Sequence, residues 1–138
     1  MARHSGKALD VRDRSLANGA LLQQWTSRGS DNQKWRFSSV GGGYYRIVAK
    51  HSGKALDVQG GSSANGAAVQ QWDYVGGTNQ QWQLVRLSNG AYRIVARHSG
   101  KALDVRDVST ANGAGIQQWD VSGGTNQEWT LTRIESIP

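Results

Sequence analysis

Cysteine does not occur in the 138 residues of this chain. Disulfides and thiolate metal ligands are thereby excluded, and cysteine usage assigns no redox compartment. Proline, phenylalanine and methionine occur once each. No apolar run approaches the roughly 18 residues of a membrane span, so no membrane insertion is expected. The segment from Met1 to Asp13 lacks the apolar stretch and small-residue cleavage site of a secretory leader, and the chain as it stands reads as soluble. Its length suits a single domain, 1–138, built on one core. Against these shortages stand 18 glycines and six tryptophans. So much glycine with so little proline points to many tight turns and an all-β protein, not to long helices or a disordered tail.

The net charge of +6 suggests a nucleic-acid partner until it is divided along the chain. Residues 1–47 hold eight Lys and Arg against three acids, residues 48–94 four against two, and residues 95–138 four against five. The excess is Arg3, Lys7, Arg12, Arg14, Arg28, Lys34, Arg36 and Arg46, a bias local to the first third. A polyanion surface needs aromatics interleaved with its basic groups, and here the aromatics follow a repeat that the charges ignore. No specific nucleic-acid partner is expected, and heparin or nucleic-acid binding is the minor reading.

That repeat has a constant step of 47 residues: His4, His51 and His98; Asp10, Asp57 and Asp104; Trp25, Trp72 and Trp119; Trp35, Trp82 and Trp129. A fixed period marks one supersecondary unit multiplied until the copies cover one another. The units are 1–47, 48–94 and 95–138. Asn-Gly recurs at 18–19, 65–66 and 112–113, and Ser-Gly-Lys at 5–7, 52–54 and 99–101, places where glycine supplies positive φ. Between the turns lie Ala8 to Val11, Leu21 to Trp25, Trp35 to Phe37 and Tyr45 to Val48, with their equivalents, which predicts about four strands per unit.

Residues two apart on a strand share a face, and this separates the two tryptophans of each unit. Trp35 shares its face with Phe37, Trp82 with Leu84 and Trp129 with Leu131, which predicts core. Lys34, Arg36, Gln81, Gln83, Glu128 and Thr130 should point the other way. Trp25, Trp72 and Trp119 instead share a face with Gln23, Gln70 and Gln117, while Leu22, Val69 and Ile116 turn inward. In Ala-Leu-Asp-Val the same logic turns Asp10, Asp57 and Asp104 outward. Each unit then offers a carboxylate, an amide and an indole on its polar side. A carboxylate accepts from sugar hydroxyls, an amide donates and accepts, and an indole covers the C–H face of a pyranose.

These residues resemble the ricin B-type, or R-type, lectins, also classed with carbohydrate-binding modules. The resemblance covers essentially the whole chain. It rests on Asn32-Gln33-Lys34-Trp35, Asn79-Gln80-Gln81-Trp82 and Asn126-Gln127-Glu128-Trp129, each preceded by Leu-Asp-Val and Gln-Gln-Trp at matching offsets. It implies a β-trefoil with pseudo-threefold symmetry, secreted or extracellular, a monomer or homodimer with no cofactor. It also implies three sugar sites: Asp10, Gln23, Trp25 and Asn32; Asp57, Gln70, Trp72 and Asn79; Asp104, Gln117, Trp119 and Asn126. Gln33, Gln80 and Gln127 would support them by orienting the Asp or the backbone. The expected partners are glycans on cell surfaces or polysaccharides, with terminal galactose, N-acetylgalactosamine or rhamnose favoured and a xylan-type polysaccharide module as the alternative. Family members often carry a cysteine where this chain has Ala8, Ala55 and Ala102, so packing or hydrogen bonds must hold the sites here. Site one also departs at Thr26 and in the loop Arg28 to Asp31, and site two at Gln59-Gly60, so unequal affinities are expected.

Catalysis is the competing class. Glycoside hydrolysis needs two carboxyls about 5 to 9.5 Å apart, whereas the repeat puts one Asp on each lobe of a body with a radius of gyration of about 14 Å. They cannot pair, and no enzyme is expected. His4, His51 and His98 precede Ser-Gly turns, where loop histidines are common, and no metal site is expected from them. At the termini, Met1 aligns with Val48 and Val95, and the counterpart of Tyr45-Arg46-Ile47 is missing. The two ends should meet there, with Ile134 or Ile137, or another subunit, filling the gap.

Overall fold

A computed structural model of the chain describes residues 1–132. Ten strands are present: β1 (Ala8–Val11), β2 (Leu22–Trp25), β3 (Trp35–Gly41), β4 (Tyr44–Ala49), β5 (Ala55–Val58), β6 (Val69–Trp72), β7 (Trp82–Arg86), β8 (Tyr92–Ala96), β9 (Ala102–Val105) and β10 (Ile116–Trp119). The only helical pieces among the described residues are single 3₁₀ turns after β1, β5 and β9 and before each Asn-Gln-x-Trp tryptophan. Those turns were not anticipated. The architecture is the expected all-β trefoil.

The first strand pair recurs in every unit. β1 pairs antiparallel with β2, β5 with β6 and β9 with β10, so that Asp10 lies across from Gln23, Asp57 from Gln70 and Asp104 from Gln117. The β3–β4 and β7–β8 pairs form longer hairpins. Single bridges, Leu21 to Gln70, Ala68 to Gln117 and Gln23 to Gly115, tie β2, β6 and β10 into a ring about the pseudo-threefold axis. Leu22, Val69 and Ile116 point into that ring and are buried, as alternation predicts.

The second tryptophan of each unit belongs to the core. Trp82 and Trp129 are fully buried with Ile47, Leu56, Leu103 and Ile116, and Trp35, Phe37, Leu84 and Leu131 pack against them partly buried. A buried indole N–H needs an acceptor. Trp35 Nε1 donates to the carbonyl of Leu9 at 3.0 Å, Trp82 to Leu56 at 3.1 Å and Trp129 to Leu103 at 3.1 Å. The acceptor is each time the peptide group before the repeated Asp, so the core tryptophan anchors the strand that carries the carboxylate.

The N-terminal residues meet the last described segment. Met1 and Thr130 exchange backbone hydrogen bonds of 2.7 Å in both directions, and Ala2 bridges Trp129. Among the described residues no third counterpart of β4 and β8 forms, and β3 pairs on one side alone. Ile134 and Ile137 lie outside the described residues.

Alternation gives the direction but not the exposure of two side chains beside the core tryptophans. Gln81 and Glu128 do face away from the core, but the face they take is covered. Gln81 donates to the Tyr74 hydroxyl at 3.0 Å and accepts from Arg97 at 2.8 Å, and Glu128 pairs with Arg3 at 2.9 Å and accepts from Asn89 at 3.2 Å. Both side chains are buried because neighbouring loops supply those partners.

Candidate functional site

The carboxylates do not stand out into solvent as alternation implied. Asp10, Asp57 and Asp104 retain 5%, 5% and 4% of their surface, because the strand opposite and the Asn-Gln turn close over them. Gln23, Gln70 and Gln117 are buried with them. The groups form the floor of a cleft and not a raised surface.

On that floor the hydrogen bonds are directional. Asp10 Oδ1 accepts from Gln23 Nε2 at 3.0 Å, and Oδ2 accepts from Asn32 Nδ2 at 3.2 Å and Gln33 Nε2 at 2.9 Å. Asp104 repeats all three, with Gln117 at 3.0 Å, Asn126 at 3.2 Å and Gln127 at 3.0 Å. Asp57 has two, from Gln70 at 3.0 Å and Gln80 at 2.9 Å; Asn79 keeps only the bond to the Val58 carbonyl at 3.1 Å, which Asn32 and Asn126 also make to Val11 and Val105. Hydrogen bonds to an ionised group are worth about 1.5–3 kcal/mol each and offset part of the burial cost. Burial still dominates at Asp57 and raises its pKa above the ordinary 3.8, against the opposing pull of Gln70, Gln80 and His98.

The Gln of Asn-Gln-x-Trp is the joint between floor and wall. Gln33 donates to Asp10 and to the Thr26 carbonyl at 3.0 Å, and accepts from the Arg28 amide at 2.8 Å. Gln80 and Gln127 repeat this with Asp73 and Val75 and with Asp120 and Ser122. The loop after each exposed tryptophan is thereby fixed to the carboxylate below it, by hydrogen bonds instead of a disulfide.

The first tryptophans form the wall. Trp72 and Trp119 leave 40% and 42% of their surface open, whereas Trp25 is half-buried, its ring lying 5.4 Å from the Arg28 guanidinium carbon. Each ring also packs on a neighbouring lobe. A Cβ on Gly19 would sit 3.8 Å from Trp72, one on Gly66 3.7 Å from Trp119, and one on Gly113 3.8 Å from Trp25. These Asn-Gly glycines have φ of 91°, 89° and 90°, so the turn depends on glycine for its backbone, while a Cβ there would meet the indole only at ordinary contact distance.

The same seams hold residues that strand alternation left without a role. Gln24, Gln71 and Gln118 are fully buried. Gln71 Nε2 donates to the Ser15 and Ala17 carbonyls at 2.8 and 2.9 Å and its Oε1 accepts from Ser52, and Gln24 and Gln118 do likewise across their own seams. His4, His51 and His98 each place Nε2 on a neighbouring-lobe carbonyl, Ser109, Ser15 and Ser62, at 2.6, 2.8 and 2.7 Å. The histidines thus staple separate seams instead of converging on the axis. Asn18 and Asn65 clasp Asp73 and Asp120 across two of the seams. Asn18 and Lys54 hold the Asp73 carboxyl below its ordinary 3.8, and Asn65 and Lys101 do the same for Asp120.

This geometry has relatives. The model of the ricin-type β-trefoil lectin domain-like family matches residues 1–72 and 78–136. A designed 3-fold symmetric protein, ThreeFoil, superposes with a TM-score of 0.96 at 55% identity, over 97% of this chain and 96% of that one. An exo-β-1,3-galactanase from Clostridium thermocellum superposes with a TM-score of 0.95 at 46% identity, over 97% of this chain and 29% of the galactanase. The clotting factor G alpha subunit of Tachypleus tridentatus is 44% identical over 45 residues, which are 33% of this chain and 7% of that subunit.

Proposed function

Because the chain belongs to the ricin-type β-trefoil lectin-like family, we propose that it is a multivalent carbohydrate-binding protein and not an enzyme. In this reading each of its three clefts receives one sugar. The carrying observation is the threefold recurrence of a buried carboxylate, held by amide donors, beneath an indole fixed beside it. The residues of site one are Asp10, Gln23, Trp25 and Asn32, of site two Asp57, Gln70, Trp72 and Asn79, and of site three Asp104, Gln117, Trp119 and Asn126. Gln33, Gln80 and Gln127 orient the carboxylates. The Asp oxygens accept from vicinal hydroxyls, the amides fix the direction of those hydroxyls, and the indole covers the apolar face of the ring.

Such a shallow site holds a monosaccharide at about millimolar Kd, about −4 kcal/mol. Three sites facing one glycan-bearing surface raise avidity by about 10² to 10⁴ without any new contact. Galactose-type sugars are the favoured ligands, since a 46%-identical trefoil forms part of a galactanase. The same likeness favours a second reading, a module that holds a polysaccharide, the matched part being 29% of that enzyme.

Glycan-array binding followed by titration calorimetry tests the proposal. Terminal galactose-type glycans should bind, and Trp72→Ala with Trp119→Ala should remove most of the signal. Agglutination of cells marks the lectin reading, and retention on insoluble polymer marks the polysaccharide reading. A flat array together with no retention sinks both.

A further inference from the structure

The three clefts share a floor and differ at the rim. In lobe 1 the cleft of about 440 Å³ has Arg12, Arg14 and Arg28 round it. The equivalent positions hold Gln59, Gly61 and Val75 in lobe 2, and Arg106, Val108 and Ser122 in lobe 3. The acids lining the first cleft are Asp10 and Asp13, so three guanidiniums against two carboxylates leave one positive charge. In lobe 2 the equivalent positions leave Asp57 alone, and in lobe 3 Asp104 and Asp107 outweigh Arg106, so each carries one negative charge. The rim therefore changes by two charge units on an otherwise repeated frame.

Two of the three arginines have no hydrogen-bond or ion-pair partner among the described residues, Arg28 having only its place over the Trp25 ring. Arg12 donates long bonds to Gln23 Oε1 at 3.3 Å and to the Gly113 carbonyl at 3.4 Å. Neither Arg14 nor Arg28 makes a side-chain hydrogen bond or ion pair with the described residues, and both are exposed. Arg14 sits on a left-handed pair, Asp13 and Arg14 at φ 58° and 52°, where lobe 2 uses Gly60 and Gly61. Arg28 lies over the Trp25 ring, 5.4 Å from its centre, which is where a sugar ring would stack. A neutral pyranose must displace that guanidinium and lose its attraction to the ring. A sugar bearing an oxyanion draws the same group to itself and gains a charge-assisted, planar contact.

We propose that lobe 1 is built for a saccharide carrying an oxyanion, a sulfate ester or a carboxylate, while lobes 2 and 3 take neutral sugars. This rests on the carbohydrate-binding reading above. Asp10, Gln23 and Asn32 hold the hydroxyls, and Arg14 and Arg28 close on the charged substituent from the rim.

The test uses the whole chain with Trp72→Ala and Trp119→Ala, which isolates lobe 1, and calorimetric titration with galactose, galactose 6-sulfate, galacturonate and inorganic sulfate. At least one charged sugar should bind about tenfold more tightly than galactose, and which one does identifies the source of the oxyanion. That preference should shrink between ~50 and ~500 mM salt as the rim is screened. Adding Arg14→Gly and Arg28→Val, the residues of lobe 2, should equalise charged and neutral sugars, and circular dichroism verifies that the variant is folded. Equal affinity for galactose and both charged sugars at lobe 1 overturns the proposal. So does a preference that survives the double arginine variant, or inorganic sulfate binding as tightly as galactose 6-sulfate. A parallel titration of galactose into an Asp10→Asn chain reads lobes 2 and 3. Silence there sinks the carbohydrate-binding reading and this proposal with it, whereas binding there without charge preference at lobe 1 sinks this proposal alone.

Discussion

In lobe 2, β7 lies between β4 and β8, and Trp82, paired across from Tyr45, is fully buried. In lobe 1, β3 has β4 on one side and no described strand on the other, and Trp35 stays partly exposed. The two tryptophans occupy the same place in the repeat and make the same bond to a leucine carbonyl. What differs is the hairpin of the preceding lobe, so burial of this residue is a property of neighbouring copies and not of one unit. The exposed tryptophans differ between the same lobes for another reason: Trp25 lies under Arg28, and Trp72 has Val75 at that position.

The strongest way to break the comparison is to delete both core indoles in turn. Trp82→Ala should cost about 3–5 kcal/mol of stability. Trp35→Ala should cost at least about 1 kcal/mol less, because part of its ring is already hydrated, and urea unfolding measures both. Equal losses would mean that the first seam is closed as tightly as the second. Next in size is the binding effect of Trp72→Ala. Lobe 2 should lose tenfold or more in affinity, about 1.4 kcal/mol, while unfolding shifts by about 1 kcal/mol or less. A large loss of stability would instead give this ring a mainly structural role.

Acid sharpens the comparison further. Burial raises the pKa of Asp57, so between the ordinary 3.8 and its raised value it is protonated in the folded chain and ionised in the unfolded one. Stability gains in that window as pH falls. Binding at lobe 2 should fall in the same window, because the carboxylate stops accepting as an anion. Titration of sugar affinity and of unfolding midpoint against pH should show the two moving in opposite directions. The smallest effect belongs to the seam clasp. Asp73 is held below 3.8, chiefly by Asn18, so its contribution is present above 3.8 and is lost as pH falls through the lowered value. Asn18→Ala should let that carboxyl rise toward 3.8, read by NMR titration, and an unmoved value would assign the depression to Lys54.

Much of this was legible in the chain. The period of 47 exposed three lobes, and alternation put Trp82, Leu22 and Val69 inside. The floor residues were found as sets, yet their burial was not, because period two reports which way a side chain points and not what lies over it. Asp10 is covered by Asn32 and Gln33, which come from a 3₁₀ turn some twenty residues away. The inter-lobe glutamines were missed for a related reason. Gln24 shares its parity with the inward Leu22, and a polar side chain at an inward position is itself a sign of a buried hydrogen-bond partner. That partner belongs to another copy, beyond the reach of a one-unit pattern. The placement of Arg28 over Trp25 depends on loop shape, which has no periodic signature.

The packing of Trp72 on Gly19, Trp119 on Gly66 and Trp25 on Gly113 runs in one direction round the axis. No repeat completes its own wall; each borrows it from the copy before. A tandem of two copies would have a single such junction, whereas a ring of three has three. Valency in this architecture is therefore a property of closure: the third copy adds one junction by following the second and another by returning to the first.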